Sequence, residues 1–155
     1  MGNQLYPEPT VGGIVFNPDG EILLLKSRKS KDRYVIPGGH IELGETMESA
    51  LKREILEETG LVIHDAELVS IQQFIFSDSF HEKRHFIFID YACRADTKEV
   101  RLNDEHQDFV WLPLDKAFDL PLENFTESLL AEYRKGGDSG HLRRVLYNYV
   151  KDESG

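Results

Sequence analysis

The sequence predicts an α/β domain in which helices cover both faces of a mixed β-sheet, an α/β/α sandwich. Three observations support this fold class. The chain has 155 residues, which suits one domain with a proper hydrophobic core. Short apolar runs bounded by turn residues have the character of strands. A segment in the first half has helical spacing with a start and a stop signal, and a second amphipathic segment follows later.

The strand-like runs lie on both sides of the first helical segment. Before it they span 11–16, 21–27 and 34–36, and the turn Asn17-Pro18-Asp19-Gly20 joins the first two. After it they span 61–63, 68–76, 85–94, 99–102 and 109–112. The polar segments 28–33 and 77–83 are expected to be loops. Strands mixed with a few helices favour a layered α/β architecture.

Further helices are expected toward the end of the chain. A helical turn is predicted at 114–118, an amphipathic helix at 126–134 and, after a glycine-rich break at 136–140, a last helix at 141–150. No repeat or linker divides the sequence. We therefore expect a single domain over 1–155, with a core at about 10–135 and a C-terminal helical tail at 136–155.

The first helix is predicted at about 47–59. Thr46 is a suitable N-cap, Glu48 favours the positive end of the helix, and Gly60 suits the position after the last turn. Apolar residues recur at i, i+4 spacing on one side of this helix, and we expect that side to face the core. They are Met47, Leu51 and Ile55, with Ala50 beside them.

The same helix carries an acidic side formed by Glu54, Glu57 and Glu58. Like charges at i, i+3 and i+4 destabilise a helix by roughly a few tenths of a kcal/mol, and a divalent cation would remove that repulsion. Arg53 lies four residues before Glu57 and can pair with it. The alternative interpretation is a solvated acidic helix face. The Gly38-Gly39 turn, which lets a ligand approach the backbone, favours a functional site instead.

The full spacing around this helix resembles the signature of the Nudix hydrolases. Gly39, Glu45, the pair Arg53-Glu54, the pair Glu57-Glu58 and Gly60 stand at its defining positions, and Ile55 and Leu61 are the aliphatic residues it requires. The resemblance implies the Nudix fold over about residues 10–135. It also implies a hydrolase that uses Mg²⁺ or Mn²⁺ to cleave a diphosphate linkage in a nucleoside diphosphate derivative, of the nucleoside triphosphate or nucleotide sugar class.

The resemblance also implies roles for single residues. The metal ligands would be Glu57, Glu58, Glu54 and the carbonyl of Gly38. The general base would be Glu54 or, from a later loop, Glu105, which lies six residues before Trp111. Arg53 would hold the glutamate side chains, and Glu45 would orient the loop. The attacking group would be a water molecule. A non-catalytic, nucleotide-binding or regulatory domain of the same family is the alternative.

Composition restricts the partners. With 18 basic and 28 acidic residues the net charge is −10, which disfavours nucleic-acid polymers and anionic membranes. No apolar run approaches the roughly 18 residues of a membrane span. Because Cys93 is the single cysteine, no internal disulfide can form, which fits a cytoplasmic location. Cys93 also lies within an apolar run, so an isomerase that uses a catalytic cysteine is disfavoured. A homodimer is expected only from the resemblance.

The resemblance fixes the diphosphate chemistry but not the group attached to the diphosphate. Candidates for stacking a nucleobase are Phe74, Phe76, Phe80, Tyr34 and Trp111. Candidates for contacting phosphates are Arg28, Lys31, Arg33, Lys83 and Arg84. Each aromatic residue is also consistent with core packing, and each basic residue with a solvated surface. His81 and His85 flank a predicted loop and are expected to be structural.

Overall fold

A seven-stranded mixed sheet lies at the centre of the computed structural model, which describes residues 4–76 and 84–136. The strands are β1 (Glu8–Phe16), β2 (Ile22–Ser27), β3 (Arg33–Val35), β4 (Gly38–His40), β5 (Ile63–Ile75), β6 (His85–Ala95) and β7 (His106–Leu112). The helices are α1 (Met47–Thr59), α2 (Leu114–Ala117) and α3 (Asn124–Gly136).

The strand order is β3-β2-β1-β6-β5, with β4 also paired to β1 and β7 also paired to β2. β1 and β6 run parallel over the whole length of β1, from Glu8 opposite Phe86 to Phe16 opposite Arg94. The other pairs are antiparallel. The parallel pair at the centre makes the sheet mixed, so the predicted α/β class with a mixed sheet is confirmed.

The two larger helices pack on opposite faces of the sheet. Successive residues of β1 point to opposite faces, so Val15 joins the cluster around α1, whereas Ile14 joins the cluster around α3. From α1, Leu51 and Ile55 are fully buried against the first face, and α3 buries Leu129 against the second. Burying a side chain of this size contributes about 1.5–3 kcal/mol.

The predicted ends of the first helix are confirmed. The side chain of Thr46 accepts a hydrogen bond from the backbone N–H of Ser49 at 3.1 Å. At the other end Gly60 adopts φ 76°, a conformation that a residue with a side chain rarely adopts, and its N–H donates to the carbonyl of Leu56. These caps fix the register of the helix, and therefore fix which side carries the glutamates.

The predicted strand at 99–102 is wrong. In its place an irregular segment lies against the end of α1, where the N–H of Arg101 donates to the carbonyl of Thr59 and that of Asn103 donates to the carbonyl of Glu58. Val100 and Leu102 pack against the core without joining the sheet. The backbone is therefore satisfied by the helix end, which leaves no need for a strand partner.

Other boundaries differ in detail. A single strand, β5 (Ile63–Ile75), takes the place of the runs predicted at 61–63 and 68–76, so Leu61 and Val62 precede the strand instead of belonging to it. Its pairing with β6 is interrupted near His64 and near Leu68. Gly38 and Gly39 belong to the short strand β4 rather than to a turn. The helix predicted at 126–134 runs from Asn124 to Gly136. The loop predicted at 77–83 and the helix predicted at 141–150 lie outside the described residues, as does nearly all of the predicted tail.

Candidate active site

Arg53 connects three glutamates of the candidate site. Its Nε and Nη2 atoms donate to the two carboxylate oxygens of Glu45 at 2.7 and 2.8 Å. Its Nη1 donates to Glu54 at 2.9 Å and to Glu57 at 3.3 Å, and Nη2 also donates to the carbonyl of His40 at 3.0 Å. This paired contact with Arg53 lowers the pKa of Glu45 to about 2 and raises the pKa of Arg53 itself. Arg53 thus holds three carboxylates and one backbone carbonyl in fixed positions.

Glu58 is the deepest carboxyl group of α1. Its side chain is 2% exposed, against 16% for Glu54 and 55% for Glu57. Oε1 faces the backbone N–H of Gly38 at 3.4 Å, and Oε2 lies 2.8 Å from Nε2 of His106. Burial raises the pKa of Glu58 to about 7, and the hydrogen bond with His106 opposes that rise. A nearly buried acid of this kind is typical of functional sites.

His106 is the site residue that the sequence analysis missed. It begins β7, which pairs with β2 so that His106 lies opposite Ser27 beyond a bulge. A ligand atom of His106, one of Glu58 and one of Glu105 lie within 4.8 Å of one another. Glu105 was predicted as a site residue, and the fold brings it beside Glu58. The available signal for His106 was its position next to Glu105, but its partner is 48 residues away in the chain.

The predicted acidic side of α1 is therefore divided in two. Glu54 and Glu57 share the guanidinium of Arg53, whereas Glu58 turns toward His106. Gly39 makes room for Glu54, since a Cβ atom on this glycine would overlap the Glu54 carboxylate. The glycine at the first position of the signature is thus required by the carboxylate that lies against it.

A pocket of about 1570 Å³ opens beside these residues. Glu58, Glu105, His106, Gly38 and Gly39 form part of its lining. Basic side chains form another part, namely Arg28, Lys29, Lys31, Arg33 and Arg84. Four of the five cations predicted to contact phosphates therefore line the pocket, and the fifth, Lys83, lies outside the described residues. The pocket brings acidic and basic groups to one cavity in a chain of net charge −10.

The aromatic part of the lining differs from the prediction. Phe86, Phe88 and Phe125 line the pocket, and the rings of Phe88 and Phe125 are stacked with centroids 4.9 Å apart. Of the predicted stacking residues, Phe74 packs edge-on against both of these rings from outside the lining. Tyr34 and Trp111 pack against the two core clusters, and Phe76 is 59% exposed. Phe80 lies outside the described residues.

The comparison with known families decides the assignment. A sequence model of the NUDIX domain matches residues 6–133, most of the chain. The chain belongs to the NUDIX domain family. The resemblance seen in the signature around α1 is therefore confirmed, and this Nudix protein is a hydrolase.

Individual relatives agree with the family. The nucleoside triphosphatase NudI of Escherichia coli O17:K52:H18 is 34% identical over 106 residues, which cover 61% of this chain and 74% of the relative. A solved MutT Nudix hydrolase from Burkholderia pseudomallei shares 28% identity with a TM-score of 0.69 over 82% of this chain and 98% of that one. The MutT protein of Methanosarcina mazei Go1, at 22% identity and a TM-score of 0.72 over 88% and 99% of the two chains, shows the same fold.

Two further observations bear on a cysteine-dependent isomerase and on a membrane-spanning protein. Cys93 of this Nudix hydrolase is 1% exposed, and burial raises the pKa of its thiol to about 12. A thiol that is buried and mostly protonated is a poor nucleophile, which disfavours a cysteine-dependent isomerase. In the described ranges 4–76 and 84–136, no helix has both the length and the apolar character needed to cross a membrane.

Proposed function

We propose that the protein is a divalent-metal-dependent pyrophosphohydrolase that cleaves a nucleoside triphosphate. The observation that carries the proposal is the lining of the pocket, where the buried Glu58 and the exposed Glu105 face the same cavity as five basic side chains. Carboxylates suit a metal ion, and cations suit the remaining charge of a polyphosphate. A relative that is 34% identical bears the name nucleoside triphosphatase, which supports this substrate class over nucleotide sugars.

The residues present fit a divalent cation. Glu58 is nearly buried, and its partners within the described residues are a histidine and one backbone N–H, so its negative charge is incompletely compensated. We assign Glu57, Glu58, Glu54 and the carbonyl of Gly38 as the groups that hold Mg²⁺ or Mn²⁺. When bound, such an ion offsets charge on phosphate oxygens and activates water.

The basic residues of the pocket would bind the phosphates that are not being cleaved. Arg28 and Arg33 flank the loop between β2 and β3, and Arg28 donates to the side chain of Gln107 at 3.3 Å. Gln107 in turn bonds Asp32. These contacts hold the loop against β7, next to Glu105. A guanidinium can donate two parallel hydrogen bonds to a phosphate, which orients the chain of phosphates as well as attracting it.

The chemical step is attack by water on one phosphorus of the polyphosphate. A carboxylate accepts the proton of the water as its oxygen forms the new P–O bond. The bond from that phosphorus to the bridging oxygen breaks, and the electron pair leaves with the other phosphate fragment. Glu105 and Glu54 are the candidate bases. Glu105 lies beside Glu58 at the rim of the pocket, whereas Glu54 is engaged by Arg53. This arrangement favours Glu105.

The test incubates the purified protein with Mg²⁺ or Mn²⁺ and measures how fast it hydrolyses different compounds. These are nucleoside triphosphates, nucleotide sugars, ADP-ribose and dinucleoside polyphosphates. We expect the triphosphates to be preferred and Glu58→Gln and Glu57→Gln each to reduce kcat by at least about a hundredfold. Glu67→Gln, which changes an exposed carboxylate of β5 outside the pocket, is the matched control. Preference for a nucleotide sugar would overturn the substrate class.

Two other results would contradict the proposal at different levels. Tight nucleotide binding without turnover of any compound would favour the non-catalytic binding domain. Full turnover in the presence of a metal chelator would show that the reaction does not require a divalent cation. The homodimer implied by the family resemblance stays a prediction, and light scattering of the purified protein tests it.

A further inference from the structure

The inner part of the pocket has a chemical character that metal and phosphate binding do not explain. Phe86, Phe88 and Asp90 alternate along β6, so they point to the same face of the sheet, and all three line the pocket. On the neighbouring strand β1, Thr10 lies opposite Phe88 and Gly12 lies opposite Asp90. Both also line the pocket. Two short polar side chains thus stand beside two aromatic rings.

Asp90 is buried with half of its carboxyl group engaged. The residue is 2% exposed, and its Oδ2 accepts a hydrogen bond from Nε2 of Gln72 at 2.9 Å. The same amide nitrogen donates to the carbonyl of Phe125 at 3.1 Å, which fixes the Gln72 side chain. Oδ1 points toward Gly12 and would lie 3.0 Å from a Cβ atom placed there. The same Cβ atom would lie 2.8 Å from Cδ1 of Ile36, so glycine at this position avoids crowding both Oδ1 and Ile36.

Thr10 adds a second polar atom that lacks a partner. It is 6% exposed, and its Oγ1 is buried without a hydrogen-bond partner in the described structure. Thr10 and Asp90 are diagonal neighbours across the β1–β6 pair, a distance that side chains can bridge to a shared ligand. A hydroxyl can donate a hydrogen bond and a carboxylate oxygen can accept one. The two residues therefore present a donor and an acceptor to the same cavity.

A purely structural role accounts poorly for this pair. A buried carboxyl group without a cationic partner lowers stability, and no cation pairs with Asp90 among the residues described. Burial raises the pKa of Asp90 to about 7, and the hydrogen bond from Gln72 opposes that rise. A buried hydroxyl without a partner also lowers stability, because it has lost its hydrogen bonds to water. Apolar residues of similar size would give a more stable protein at both positions.

We propose that Asp90 and Thr10 bind the edge of the nucleobase, with Oδ1 of Asp90 accepting a hydrogen bond from a base N–H and the hydroxyl of Thr10 donating to the neighbouring base acceptor. The inference rests on the proposed function, because it needs a nucleotide in the pocket. Phe86 and Phe88 offer the adjoining aromatic surface for the flat ring. Gln72 acts as a positioning residue that holds Oδ2 and leaves Oδ1 for the base.

The test compares natural nucleotides with analogues that lack the donor. Purine riboside triphosphate has none of the edge N–H groups of adenosine and guanosine triphosphates, and the triphosphate of pyrimidin-2-one riboside lacks those of cytidine and uridine triphosphates. For the natural nucleotide that the wild-type protein prefers, we expect kcat/KM to exceed that of the matching analogue at least about tenfold. An equal kcat/KM would overturn the proposal without any variant being needed.

Variants of Asp90 and Thr10 then test whether these two residues cause the discrimination between nucleotide and analogue. In Asp90→Asn the Gln72 amide must still donate to the carbonyl oxygen, so the NH₂ group of the asparagine faces the base. We expect discrimination between nucleotide and analogue to fall to within about threefold. Thr10→Val should lower kcat/KM for the natural nucleotide at least about fivefold. Thr126→Val is the matched control, because Thr126 is also buried with an unpartnered hydroxyl but does not line the pocket.

Inorganic tripolyphosphate separates this inference from the proposed function. It carries the phosphates without a base, so its inhibition constant should be the same in the wild type, Asp90→Asn and Thr10→Val. A variant that discriminates as well as the wild type would overturn the base-binding role while leaving the hydrolase intact. A wild-type protein that hydrolyses no nucleotide at all would overturn both proposals.

Discussion

Nε2 of His106 lies 2.8 Å from Oε2 of Glu58, and the side chains of both residues are more than nine-tenths buried. The pair joins the last turn of α1 to the first residue of β7. The hydrogen bond orients the Glu58 oxygens, and in the metal site that we propose a carboxylate depends on such a partner for its orientation.

Replacing His106 should therefore weaken metal binding. We expect His106→Phe to lower the affinity for Mg²⁺ or Mn²⁺ about 10- to 100-fold, because Glu58 loses the partner that orients it. Isothermal titration with each metal ion measures the effect, and His64→Phe, at a partly exposed site on β5, is the control. Unchanged metal affinity in the His106 variant would mean that the histidine does not act through Glu58.

Replacing Arg53 by lysine should reduce activity even though the positive charge is kept. Lysine has one charged nitrogen and cannot make the paired contact with Glu45 while also reaching Glu54 and Glu57. We expect Arg53→Lys to reduce kcat at least about tenfold. Steady-state kinetics provide the measurement, with Arg94→Lys, at an exposed residue near the end of β6, as the matched control. Equal values of kcat for the two variants would contradict the positioning role of the guanidinium.

Substitution of the two glycines of β4 by alanine should have different effects, one on stability and the other on turnover. A Cβ atom on Gly38 would overlap the backbone carbonyl of Val11, so Gly38→Ala requires two strands to separate and should lower the free energy of unfolding by about 1–3 kcal/mol. A Cβ atom on Gly39 would overlap the Glu54 carboxylate, a side-chain end that can move. Gly39→Ala should thus fold normally but lose most of its turnover. Urea unfolding and kinetics of both variants distinguish these effects, and a reversed pattern would refute the assignment.

The stability contributed by Asp90 should depend on pH. The pKa of Asp90 is raised from 3.8 in the unfolded chain to about 7 in the folded protein, mainly by burial, with the Gln72 hydrogen bond opposing the rise. Between these pH values only the unfolded state is ionised, so unfolding releases a proton and stability falls as pH rises. The difference between the two pKa values corresponds to about 4 kcal/mol as an upper limit.

Asp90→Asn removes this titration. The residues facing Asp90 from β1 are Thr10 and Gly12, and Gln72 faces it from β5, so no other ionisable group on these strands contributes. We expect the variant to gain stability relative to the wild type as pH rises from about 4 to 7, with no further gain above that. Urea unfolding at pH 4.5, 6 and 8 measures the difference. A difference in stability that is constant across these three values would show that Asp90 is not titrating in this range.

Features that depend on neighbouring residues in the chain could be predicted from the sequence. The bounds of α1 follow from Thr46 and Gly60, whose capping contacts lie within a few residues. The spacing of Arg53 and the glutamates identified the family for the same reason. The strand expected at 99–102 failed because its backbone found partners at the end of α1, and local apolar content cannot reveal such a partner.

Features that depend on strand register could not be predicted. His106 reaches Glu58 only because β7 pairs with β2 and β2 lies next to β1 in the sheet. The aromatic lining of the pocket could not be predicted for the same reason, since Phe86 and Phe88 face the pocket only through the register of β6 against β1. Periodicity shows that alternate residues share a face, but it does not show which face is covered by a helix and which opens onto a cavity.

The position of Cys93 has a practical consequence. It is the single cysteine of the chain, and it sits in β6 at the centre of the sheet, opposite Val15 of β1. Its side chain is covered by Leu51 and Ile55 of α1, so a thiol reagent added to the native protein can react there only after the packing of α1 on the sheet opens. The labelling rate would therefore report how often α1 moves away from the sheet, and comparing that rate with and without nucleotide would show whether substrate binding slows this opening.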